Sequence, residues 1–121
     1  MAWAKAGSTT LGSSGSDVTV SSLPDNKFYM VLSNLFDTGG AIDGGWRFNG
    51  DTGNNYAARR NYNGGADSTV TSVSWAQEGV GLASENFWVS YIVNISSEEK
   101  LTISNTVYEK AAGAGTAPDR N

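Results

Sequence analysis

The chain has 121 residues, a net charge of −4, and neither cysteine nor histidine. Those absences exclude a disulfide, a Ser-His-Asp or Cys-His catalytic pair, and the usual zinc sites. Only 17% of residues are charged while 15 are glycine, which predicts one domain of short strands and tight turns, and the lack of a basic face argues against nucleic acid as a partner.

Residues 3–11 are expected to open the fold as a strand, with Gly7 as a weak point. Ser13-Ser14-Gly15-Ser16 reads as a turn, and Asp17-Val18-Thr19-Val20-Ser21 alternates as the returning strand of a hairpin. No apolar leader follows Met1, so synthesis in a cytoplasm is expected. Pro24-Asp25-Asn26 marks the next turn. Residues 27–37, KFYMVLSNLFD, form the most continuously apolar segment. Its aromatic content and flanking turns favour a strand over a short helix, covered on both faces and central in a sheet. Its apolar run is too short to span a bilayer, and no membrane partner is expected.

Residues 44–65, GGWRFNGDTGNNYAARRNYNGG, carry the strongest local signal. Trp46 and Phe48 alternate with polar residues. Asn49, Gly50, Asp51, Gly53, Asn54 and Asn55 tolerate positive φ or bond their own backbone. Tyr56 opens a second alternating run through Arg59, and Asn63, Gly64 and Gly65 close it. Strand, turn, strand, turn is the expected order, making this a structural hairpin. Arg59 and Arg60 must point to opposite faces of their strand, so one is expected to face inward or into an interface and meet a carboxylate, Asp51 or Asp67.

Residues 68–75 alternate Thr and Ser with Val and Trp, as a half-exposed strand does, and residues 77–84 read as a Gly-rich connection. Residues 86–95, NFWVSYIVNI, are a second central strand, with Phe87, Val89, Tyr91, Val93 and Ile95 on one face and Trp88, Ser90, Ile92 and Asn94 on the other. Residues 101–107 alternate as its hairpin partner. Residues 111–121 show no periodicity and are set apart as an irregular tail, or a linker to further strands, behind a domain of residues 1–110.

Catalysis is not expected. Asp43, Asp51, Asp67 and Glu78 could converge as a glycosidase pair, but each is equally explained as a turn residue or a solubilising charge. The oxygens of residues 49–54 alternate as in a calcium loop, yet the downstream bidentate Glu is missing. A Gly/Asn turn is the simpler reading, with no metal and no cofactor. Trp3, Trp46, Trp75 and Trp88 are the possible ligand or interface aromatics. The last three sit inside alternating runs and fit core packing, whereas Trp3 is the one expected to be exposed or to dock on a neighbour.

The run WRFNGDTGNNYAARRNYNGGAD, the opening AWAKAGSTTLGSSGSDVTV and the closing TAPDR resemble structural proteins of tailed bacteriophages of the marine and cyanophage type. The alternating runs already give an all-β, antiparallel chain of about eight strands, and the resemblance implies a β-sandwich of jelly-roll type in a virion protein such as a capsid decoration, knob, tail fibre or other tail appendage. It also implies a homo-oligomer, with a three-fold arrangement as one form, attached to other virion proteins. The competing expectation is a carbohydrate-binding, host-attachment module that reads a host surface glycan.

Overall fold

The computed structural model describes residues 3–36, 42–81, 85–109 and 117–120. All regular structure among them is β, with no helix. The strands are β1 (Phe28–Phe36), β2 (Ile42–Trp46), β3 (Tyr56–Arg60), β4 (Ser68–Val73), β5 (Ala76–Gly81), β6 (Glu85–Val93), β7 (Leu101–Tyr108) and β8 (Asp119–Arg120). All pairings are antiparallel. One sheet has the order β1-β6-β7-β8, and β2-β5 and β3-β4 form two-stranded ribbons. Among the described residues no helix is long and apolar enough to cross a membrane.

Within the apolar segment at residues 27–37, of which residue 37 lies outside the described residues, Phe28–Phe36 form a strand, as the aromatic content predicts. It lies at the edge of its sheet rather than at the centre, which β6 occupies. One of its faces is also uncovered, with Phe28, Leu32 and Phe36 exposed. The opening hairpin expected over residues 3–21 does not form, and residues 3–27 contain no strand. The chain does fold back there, since a Cβ on Gly7 would stand 2.7 Å from Val20. Side-chain contact without a ladder is the result, and alternation at Val18 and Val20 cannot make a strand without a backbone partner.

The hairpin expected within residues 44–65 is also rearranged. β2 pairs with β5, and the β3-β4 hairpin is nested between them in sequence. Within residues 77–84, expected as a connection, residues 77–81 therefore contribute most of β5, and residues 82–84 lie outside the described residues. Glycine on both strands, Gly44 opposite Gly79, hid that pairing from a pattern built on side chains. Both Asn-Gly turns nevertheless form as their residues dictate. Asn49 and Gly50 have φ of 54° and 73°, and Asn63 and Gly64 have 49° and 74°. Two successive positive φ values define the type I′ turn. Each is closed by a backbone bond, Asp51 N–H to Phe48 C=O at 3.0 Å and Gly65 N–H to Tyr62 C=O at 2.8 Å.

The segment set apart as an irregular tail supplies β8. Asp119 and Arg120 pair with Tyr108 and Val107 at the edge of β7. The Asp119 carboxylate is buried. It accepts from Tyr62 Oη and from Asn63 Nδ2, both at 2.6 Å. Asn63 Oδ1 in turn accepts from the Arg120 N–H at 3.0 Å, and Asn63 N–H donates to the Arg120 carbonyl at 3.1 Å. Tyr62 also stacks on Tyr108, with ring centroids 6.4 Å apart. Tyr62, Asn63, Tyr108, Asp119 and Arg120 thus clamp the β3-β4 turn to the four-stranded sheet. Donation to Asp119, and then contact with Tyr108, raises the Tyr62 phenol above its ordinary value. Residues 110–116, which lead into β8, lie outside the described residues.

Hydrogen bonds to a charged acceptor contribute about 1.5–3 kcal/mol each. Asp119→Ala removes at least two of them, and is expected to lower stability by on the order of 3–6 kcal/mol in urea unfolding. Asp119→Asn, which can still accept one bond, is expected to lose less.

Candidate functional site

The inner side of β6 organises the interior. Trp88 is only 2% exposed. Its ring meets Trp46 edge to face, with centroids 6.4 Å apart and planes at 86°. Its far edge lies against Gly44, where a Cβ would come within 2.2 Å of the indole. Trp46 Nε1 donates to Ser90 Oγ at 3.1 Å, and Ser104 Oγ donates to the same oxygen at 2.9 Å. Trp46 and Trp88 are therefore contacts between the β2-β5 ribbon and the sheet. Trp75 is half-buried under Arg47, whose guanidinium lies 5.8 Å from the ring centroid and whose Nε donates to the Ser74 carbonyl at 3.1 Å. Trp3 is 61% exposed. Of the four tryptophans, only Trp3 presents most of its surface.

The turn at residues 48–56 is built on itself. Asp51 Oδ1 accepts from Gly53 N–H at 2.8 Å, and Asn55 Nδ2 donates to both carboxylate oxygens at 3.1–3.2 Å. Tyr56 Oη accepts from Phe48 N–H and donates to the Asp51 carbonyl, each at 3.2 Å, and its ring lies 6.4 Å from that of Phe48. Asn55, then Gly53, holds the Asp51 carboxyl below its ordinary pKa of 3.8. The calcium-like spacing is thus used as an Asx-type turn. Arg59 meets Asp67 at 3.3 Å, the expected partner, but on the outside, with the two side chains 71% and 52% exposed. Of the two arginines, Arg60 takes the inward, half-buried phase of β3 and Arg59 the outward one, so it is the outward arginine and not the inward one that meets the carboxylate. An exposed pair of this kind contributes at most about 1 kcal/mol. The side chains of Asp43 and Glu78 lie outside the described residues. Among the described residues no three acidic groups converge on a point where a metal could sit.

Sequence reasoning missed the feature that dominates the surface. Register places Phe28, Val93 and Leu101 in one row, Met30, Tyr91 and Ile103 in the next, then Leu32, Val89 and Asn105, then Asn34, Phe87 and Val107. These rows form the outer face of β1, β6 and β7, and most of their apolar members are exposed. The inner rows are Tyr29, Ile92 and Thr102; Val31, Ser90 and Ser104; Ser33, Trp88 and Thr106; Leu35, Asn86 and Tyr108. The covered face therefore carries more hydroxyl and amide groups than the open one. The signal was in the sequence, because the alternations of residues 86–95 and 101–107 share a phase across their turn. No protein-family model matches the chain, and no curated protein or solved structure does either.

Gly44→Ala places a methyl group inside the Trp88 ring and is expected to cost at least about 1–3 kcal/mol, read as a lower urea midpoint with a changed near-ultraviolet signal. The lowered Asp51 carboxyl stabilises the fold above its unfolded value of 3.8, and that contribution is lost as pH falls through the folded value. Asp51→Asn should therefore be less stable than the parent near neutrality. The gap should narrow as pH drops below 3.8 in melts taken across the acid range.

Proposed function

We propose that the chain is a non-enzymatic structural component of a tailed-phage virion, such as a capsid decoration, knob or tail appendage. Its strands would complete a β-sandwich of jelly-roll type, and its work would be association. The observation that carries this reading is the inverted distribution of apolar residues, because a sheet with one wet face ordinarily turns its polar side outward. A chain that turns its apolar side outward is built to be covered. The motif at residues 46–67 and the closing TAPDR support the phage assignment by resemblance. Their turn residues are used as scaffold, in the two Asn-Gly turns and the Asp119 clamp.

The glycan-binding alternative needs an aromatic platform. Trp88 is buried and Trp46 and Trp75 are half-buried, so among the tryptophans Trp3 alone would serve it.

The test is to express the sequence with a short epitope in a phage-producing host and purify the particles on a density gradient. The protein is expected to co-purify with virions, and gold-labelled antibody is expected to decorate the head or the tail. Recovery only in the particle-free fraction would overturn the assignment.

A further inference from the structure

We propose that copies of this chain pack against one another through the outer face of β1, β6 and β7, so that the apolar core of the assembly lies between subunits. The inference rests on the association reading above and deepens it by naming the surface and its occupant. Phe36, Leu101 and Ile103 are 69%, 64% and 72% exposed, while inner neighbours such as Thr106 and Ser90 are almost wholly covered. An outer face richer in apolar side chains than the interior behind it is what a hydrophobic core divided between subunits looks like, and obligate interfaces have that character.

Size and charge point to a second copy as the occupant. Strands of eight to nine residues at a rise of ~3.4 Å and a spacing of ~4.8 Å give a flat footprint of roughly 30 Å by 15 Å. With side-chain relief this approaches the ~800 Å² that each partner contributes to a standard interface. The chain carries a net charge of −4, yet the rows of β1, β6 and β7 hold only uncharged side chains between their margins, where Glu85 pairs with Phe36 at one end and Arg120 of β8 continues the row of Val107 at one side. Glu85 Oε1 already accepts from Asn34 Nδ2 at 2.8 Å. Two identical faces can therefore meet without opposing like charges across their centre, and closed symmetry is the usual outcome when the same patch serves both sides. The same chain also exposes Trp3, Leu11, Val20 and Leu23 on residues 3–27, the segment that leads into β1.

The absence of cysteine makes the test direct, since a single introduced thiol can cross-link only to another copy. Ile103→Cys is expected to form a covalent dimer on mild oxidation at micromolar concentration, and Ala57→Cys, exposed on β3, is not. Light scattering of the parent should give at least twice the chain mass of 12.7 kDa, and Ile103→Glu should bring it down to the single-chain value. Circular dichroism should show both variants folded, and because Ile103 is exposed the substitutions leave the inner packing intact. A monomeric parent, equal cross-linking of the two thiol variants, or an unchanged mass for Ile103→Glu would each overturn the proposal. A monomer found in virions would defeat this inference alone. A face-to-face oligomer absent from virions would defeat only the phage assignment.

Discussion

The β2-β5 ribbon meets the four-stranded sheet at a close approach, the Trp88 ring against the backbone of Gly44. A side chain of any size on that glycine would hold the β2-β5 ribbon away from the sheet. With only hydrogen there, Trp46 comes close enough to meet Trp88 edge to face, the orientation in which a ring's positive rim faces another's negative face. The same approach lets the Trp46 indole reach Ser90, so the pair gains both aromatic contact and a satisfied donor. The Trp88 Nε1 finds no acceptor. A buried, unpaired indole N–H costs on the order of 1–3 kcal/mol, and it stands beside hydroxyl-bearing strands rather than an oily core.

Away from that point, polar groups secure the inner side more than hydrocarbon does. Ser90 joins Ser104 and Trp46, and Asp119 joins Tyr62 and Asn63. Such bonds are directional, so they fix register more sharply than apolar contact can. They contribute little net free energy apiece because water competes for the same groups. A layer held this way is well specified and weakly driven. The strong driving force available to this sequence sits on its other side.

Much of the strand content was legible because β1, β3, β4, β6 and β7 announce themselves by alternation or by runs of aromatic and β-branched residues. The two Asn-Gly turns were legible for a different reason, since few other residue pairs accept two successive positive φ values. Partner choice was not legible. Residues 76–81, AQEGVG, carry little side-chain pattern, so β5 was invisible, and a strand expected to begin at Trp46, where β2 in fact ends, was paired with its nearest neighbour in sequence. The two-residue β8 is likewise too short for any period to register. Residues 3–27 mislead in the opposite sense, because Val18 and Val20 alternate without a ladder. Among site residues, the Arg59–Asp67 pair and the turn role of Asp51 follow from local chemistry. The inner and outer faces of β6 could not be told apart by hydrophobicity, because Phe87 and Tyr91 on one side rival Trp88 and Ile92 on the other.

The clamp at Asp119 links positions 57 residues apart, and β1 meets β6 across a comparable separation. Closing such distant pairs is slow, since chain entropy is surrendered before any contact rewards it. Finding β7 does not hide the greasy side of the sheet, because β8 extends an edge and leaves that face uncovered. A single molecule that has completed its own fold would thus still be sticky, and its concentration would decide what it meets.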